Sequence, residues 1–340
     1  MQVQALRRDP LLYDFDMPLQ ATYYPLGFSV EITTNSHEVL AAAEESWGHF
    51  RKIFSEPPLQ IRIGVLDGGP AVFPADHVIR AQRHLLARVA DAENFSVSDV
   101  NRGLACVWLT RATVENRPYL RWHFIEGVSW DLLDRYLTPV HAACVRFEDH
   151  GVLLCGDSGA GKSSLAFACA LKGWTYVADD GCCIVRGRQS RAVVGNPNQI
   201  RFRESAVELF PQLKNQRLTR RVTSDEMALE VPTASLPQMR TTTQCVIDYI
   251  IFLNRGNVSP ARLLRFPKDT ALLWFEQIIF PGEADTVEAH KASLRCLVTA
   301  EIFELRYADL ESAIQRLEAL VRDGDQPPSA ICTVESREND

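Results

Sequence analysis

Several classes of protein are excluded by what this chain lacks. None of its nine cysteines stands in a C-x-x-C pair. An odd set without a spacing framework points to reduced, buried thiols of a cytoplasmic protein rather than to disulfides or a zinc site. No apolar run approaches the ~18 residues of a membrane span, so no membrane partner is expected. Arg7 and Arg8 have no apolar stretch behind them, so no secretory leader is expected. Positive charge is in deficit, with 36 Lys and Arg against 43 Asp and Glu. This argues against a nucleic-acid partner held by bulk charge. There are no internal repeats. What remains is ordinary globular usage, 46% hydrophobic over 340 residues, with room for two domains.

Within that plain background one segment stands out. Gly156, Asp157, Ser158, Gly159, Ala160, Gly161, Lys162 and Ser163, followed by Ser164, fit the phosphate-binding pattern G-x-x-x-x-G-K-[ST]. An apolar strand over 152–155 precedes it and a helix over 164–171 follows. Glycines let backbone N–H groups converge on phosphate oxygens, and the helix dipole favours the anion. Lys162 is expected to reach the β- and γ-phosphates, and the Ser163 hydroxyl to bind Mg²⁺. The segment implies a nucleotide, with Mg²⁺ as its metal.

Such a loop needs a partner carboxylate at the end of an apolar strand. The strand over 246–253 ends in Asn254-Arg255, without an acid. The strand over 174–178 ends in Asp179-Asp180, which suits one carboxylate for metal and one for a proton. His141, on the strand before the loop, is either a core histidine or the residue that orients a carboxylate or substrate. Arg201 and Arg203, at i and i+2 of an extended segment, share one face. They form either a clamp for phosphate or an acidic substrate, or a solvated edge.

The pattern reads as three stretches. Residues 1–125 form a smaller α+β N-terminal domain of unassigned role. Residues 126–323 form the nucleotide-binding domain, and 324–340 a disordered tail. Within the first stretch we expect strands over 27–32, 59–65, 104–110 and near 119–124, with helices from Ser36 to residue 50 and over 75–90. His77, His84 and His123 lie scattered, without metal spacing. Within the second we expect a helix over 130–137, one strand over 140–147 and a turn into 152–155. A hairpin joins 182–186 to 192–194, and an amphipathic helix covers 310–321. The polar stretch 212–240 reads as a loop over the site.

Together these residues resemble the catalytic domain of HPr kinase/phosphorylase. That family couples a Gly-x-Ser-Gly-x-Gly-Lys-Ser loop to a downstream Ala-Asp-Asp, matched here by 156–163 and by Ala178-Asp179-Asp180. A histidine on the preceding strand is matched by His141. The resemblance covers roughly 130–205, and more weakly the closing helix. It implies an α/β fold with a mixed sheet, like that of phosphoenolpyruvate carboxykinase. It also implies an ATP- and Mg²⁺-dependent kinase acting on a protein serine or a small-molecule hydroxyl. Asp179 would be the base with His141 beside it, Asp180 and Ser163 would serve the metal, and the chain would be a possible homo-oligomer. Three features depart from the family. Ser164 stands where a glutamate usually follows the loop serine. The HPr-binding segment is not found in 196–211. The N-terminal stretch does not resemble the family's N-terminal domain. Two alternatives stay open: a nucleotide-binding regulatory or assembly protein with little turnover, and a carboxykinase-like enzyme acting on a small acid.

Overall fold

The computed structural model describes residues 16–324, apart from 69–71, 75–76, 188–190, 217, 221–226, 237 and 280–282. It is a mixed α/β protein built on two large sheets and a small one. The tail expected from residue 324 lies, from 325 on, outside the described residues.

The first sheet has seven strands: β1 (Leu19–Tyr23), β2 (Val30–Thr34), β3 (Leu59–Leu66), β4 (Val78–Gln82), β5 (Leu85–Val89), β6 (Phe95–Asp99) and β7 (Leu104–Thr110). Their order is β1-β2-β3-β7-β6-β5-β4. Helix α1 (His37–Trp47) starts at Ser36 and buries Val39, Ala42, Ala43 and Trp47, at the 3–4 spacing of one helix face. That face joins Ile32, Ile61 and Ile63, all fully buried.

Two expectations for this half are corrected. The helix expected over 75–90 is not found. Residues 75–76 lie outside the described residues, and 78–89 form the β4–β5 hairpin, turned at Arg83 with φ 55°, while β5 pairs in turn with β6. A strand near 119–124 is likewise absent. Short helices α2 (Arg111–Glu115) and α3 (Arg117–Tyr119) run into π-helical turns over Leu120–Glu126 and then into α4 (Gly127–Leu133). The Asn116 side chain accepts from the Tyr119 N–H and Pro118 sits in the first turn, both helix-start features. Leu120, Phe124, Val128 and Leu132 are fully buried at four-residue spacing, a helical stripe that a strand cannot present. This helical run crosses residue 125 without a break and packs on the first sheet.

The scattered histidines are in part brought together. The rings of His77 and His123 stack at 4.1 Å, and His77 Nε2 lies 2.6 Å from the Tyr119 hydroxyl. Burial pushes His77 down to about 4 and His123 to about 3. A folded pKa below the unfolded value means that the unfolded chain binds more protons. The stability these rings allow is complete above about pH 6.5 and falls as pH drops toward 4. The melting temperature should therefore decline more steeply over that range in the wild type than in His77→Phe/His123→Phe. Equal slopes in the two proteins would refute the assignment.

The second sheet begins with β8 (Leu137–His141), β9 (Ala143–Phe147) and β10 (His150–Cys155). It continues through β11 (Thr175–Ala178), β12 (Gly181–Val185) and β13 (Ala192–Gly195). A three-stranded sheet follows, of β14 (Gln199–Arg203), β15 (Leu218–Arg220) and β16 (Met227–Pro232). Thus part of 212–240, expected as a loop, is strand. The large sheet resumes with β17 (Arg240–Thr241), β18 (Gln244–Arg255), β19 (Arg262–Arg265) and β20 (Glu301–Tyr307). Its helices are α5 (Lys162–Leu171), α6 (Ala206–Leu209), α7 (Lys268–Glu276), α8 (Ala284–Leu297) and α9 (Leu310–Asp323). No described helix is long and apolar enough to cross a membrane.

β18 is the spine. It runs parallel to β10 and β20 and antiparallel to β13. From Val152 to Cys155 β10 is apolar, because it is covered there on both faces. Val152 and Leu154 join the core of α5 and α9, while Leu153 and Cys155 join that of α7 and α8. Cys182 and Cys183 likewise point into opposite cores, as strand alternation requires. The expected helix over 130–137 ends at Leu133. The expected strand over 140–147 breaks at Ala142 into β8 and β9. This break matters, because β8 pairs with β12, His141 standing opposite Gly181.

Candidate active site

The phosphate loop occupies the strand–helix junction its sequence calls for. β10 ends at Cys155 and α5 opens at Lys162. Gly156, Gly159 and Gly161 have φ of 145°, 90° and 98°, values that only glycine adopts without strain. A Cβ on Gly156 would meet Ala160 Cβ at 2.9 Å, and one on Gly161 the Tyr307 hydroxyl at 3.0 Å. The loop is thus a tight backbone cradle, its outer part, Asp157 to Gly159, exposed. The Tyr307 hydroxyl, at the end of β20, also donates to the Ala160 carbonyl at 3.4 Å.

Lys162 is 6% exposed. Its Nζ donates to the carbonyls of Gly156 at 2.9 Å and Asp157 at 3.3 Å, and meets His141 Nε2 at 3.0 Å. Burial pushes its pKa below the usual lysine value. On its other side His141 Nδ1 lies 3.4 Å from Asp180 Oδ1. One ring thus meets the loop lysine through Nε2 and the acidic turn through Nδ1. The register that sets His141 opposite Gly181 therefore links the loop lysine to the acidic turn. The carboxylate that meets the histidine is Asp180, whereas the resemblance places the histidine beside Asp179.

Asp179 is held differently. Its Oδ2 accepts from the Arg201 backbone N–H at 2.7 Å. Burial, with Asp180 next to it, raises its pKa to about 6 despite that hydrogen bond. Arg201 reaches this place because β14 lies over α5, with Phe202 packed edge-on against Phe167 at 5.2 Å. The Arg201 guanidinium turns elsewhere. It donates to Glu230 Oε2 at 3.2 Å and stacks over Trp122 at 4.7 Å. Arg203 Nη2 donates to Ser158 Oγ at 3.2 Å, so of the two arginines only Arg203 bonds the loop itself. Ser163 and Ser164, in the first turn of α5, are half-buried.

Beneath the loop and the acidic turn lies a floor of thiols. Cys144 Sγ is 3.3 Å from Cys245 Sγ. Cys155 immediately precedes the loop and Cys182 follows the turn. Burial pushes the Cys144 and Cys155 thiols up, so they stay protonated and apolar. Gly195 brings β13 against this turn. A Cβ there would meet Ala178 Cβ at 2.5 Å and the Val177 carbonyl at 3.1 Å. Gly195→Ala should cost about 1–3 kcal/mol of overpacking, read as a lowered midpoint in urea. An unchanged midpoint would show that β13 yields without cost.

The fit to a nucleotide with its metal rests on the donor chemistry. Ser163 and Asp180 offer hard oxygens beside the cradle. Among the described residues no group of three or more His, Cys, Asp or Glu forms a metal site of its own. Mg²⁺ characteristically takes one or two protein oxygens and completes its shell with phosphate and water, so the residues present suit it.

Comparison with known proteins bears on this segment. Residues 136–207 match the model of the HPr serine kinase C-terminal domain. Over this stretch the chain is similar to that family. The match takes in His141, the loop, the acidic turn and both arginines of β14. Among solved structures, the HPr(Ser) kinase/phosphatase from Coxiella burnetii is 12% identical, with 55% of this chain and 93% of that chain covered and a TM-score of 0.31. No curated protein matches.

Sequence reasoning missed Tyr307, Trp122, Gly195 and the role of the Arg201 amide. Each reaches the site through pairing or packing distant in the chain. None carries a local motif.

Proposed function

We propose that this protein is an ATP- and Mg²⁺-dependent kinase that transfers the γ-phosphate to a hydroxyl, on a protein serine or a small molecule. The observation that carries the reading is the line Lys162–His141–Asp180, with contacts of 3.0 and 3.4 Å, beside a second carboxylate raised to about 6. Phosphoryl transfer needs positioning and charge stabilisation more than covalent chemistry. The loop amides receive the phosphates, and Lys162 exchanges its carbonyl partners for phosphate oxygens. Ser163 and Asp180 would hold Mg²⁺, which when bound neutralises phosphate charge. Asp179 accepts the hydroxyl proton at its carboxylate, steadied by the Arg201 N–H, while His141 orients Asp180. Arg203 and Ser158 sit at the exposed lip where an acceptor enters.

Ser164, in place of the family's glutamate, favours a second reading as a nucleotide-binding regulator with little turnover. A carboxykinase-like role on a small acid has less support, since the Arg201 guanidinium is taken by Glu230. The buried free thiols suit a reducing compartment, and we place the protein in the cytoplasm.

The test incubates the protein with Mg²⁺ and ATP labelled at the γ-phosphate, with HPr and a panel of serine peptides and small alcohols as acceptors. Label on any acceptor, lost in Asp179→Asn, supports the kinase. Tight retention of ATP without label transfer or release supports the regulator.

A further inference from the structure

A cavity of about 620 Å³ opens between the β4–β5 hairpin, the end of α4, β8 and the start of α8. No residue of the phosphate loop lines it. Ile79, Leu86, Leu137, Pro139 and Cys183 give it an apolar body. Trp130 contributes an indole that is 42% exposed. This size and a mostly apolar lining with a few converging polar groups are those of a small-molecule site.

The polar groups are built and sort by charge. Arg88 is spent on Asp131 through two hydrogen bonds, of 2.7 and 2.6 Å. Asp134 and Glu283 each present a carboxylate about one-third exposed. Asp134 is fixed by the buried His290, whose Nε2 lies 3.2 Å away and whose Nδ1 lies 3.0 Å from the Thr138 hydroxyl. The His84 ring stands 3.7 Å from Glu283. Once the Arg88–Asp131 pair is set aside, the described lining presents two carboxylates. Asp134 stands beside the His290 ring and near the half-buried Arg186, and Glu283 beside the His84 ring. The Arg83 guanidinium is exposed on the hairpin turn.

We infer that this cavity is a binding site for a small organic cation, an ammonium carried on an aromatic or aliphatic body. The body fills the apolar lining. The ammonium meets Asp134 and Glu283 at the rim and the face of Trp130, where a cation is attracted to the ring. An anion of the same shape meets two carboxylates instead. The inference does not depend on the nucleotide reading.

The test is a matched pair of probes, tryptamine and indole-3-propionate, titrated calorimetrically into the full-length protein. Tryptamine should bind saturably and indole-3-propionate should not. Asp134→Asn and Trp130→Ala should each weaken tryptamine about tenfold. Trp130 is exposed, so its removal leaves the fold intact and decides the matter if Asp134→Asn does not fold. No saturable tryptamine binding overturns the inference. So does indole-3-propionate binding as tightly, or tryptamine affinity unmoved by Trp130→Ala.

Discussion

Lys162→Ala is expected to lower phosphoryl transfer from ATP about 100- to 1,000-fold, the loss seen when one preorganised donor to a developing charge is removed. The lysine carries its charge against the loop, bonded to the Gly156 and Asp157 carbonyls. Backbone amides supply dipoles but no full charge. The variant should still fold. Lys162 is buried against two carbonyls and the His141 ring, and its lowered pKa records that burial opposes its charge. Alanine relieves that cost. Label transfer measured beside a thermal melt separates the two effects. Loss of transfer with a preserved melt is the expected result. Transfer at the wild-type rate would remove Lys162 from the mechanism.

Asp179→Asn should leave ATP binding within a few-fold and lower transfer about 100- to 10,000-fold, the range for a positioned general base. The wild-type rate should depend on pH with a definite sign. A base works unprotonated, and Asp179 has its pKa raised to about 6. Activity should therefore rise with pH through about 6 and level off above it. The residual activity of Asp179→Asn should show no step there. The amide keeps an oxygen for the Arg201 N–H, so the geometry survives while the proton acceptor is lost. A step near pH 6 persisting in the variant would assign the base to another group.

How much of this was legible beforehand depended on distance along the chain. The loop, its strand and its helix are one contiguous signal, and the helix begins where the motif says. The acidic turn was legible because an apolar strand ends there. β18 and α9 announce themselves by a long apolar run and a 3.6-residue period. The β4–β5 hairpin was not legible. β4 is exposed along its whole length, so no buried stripe marks its period, and pairing with β6 through β5 decides its form. The histidine's partner was hidden in the same way. Whether His141 meets Asp179 or Asp180 depends on the β8–β12 register, which no local pattern encodes. The Arg201 amide reaches Asp179 only because the small sheet folds back over α5.

The most direct test of the account is calorimetric titration of the wild-type protein with ATP, in the presence and absence of Mg²⁺. The account predicts saturable 1:1 binding that strengthens with Mg²⁺ and is lost in Lys162→Ala. Absence of saturable binding with Mg²⁺ present, from a protein shown to be folded, would contradict it.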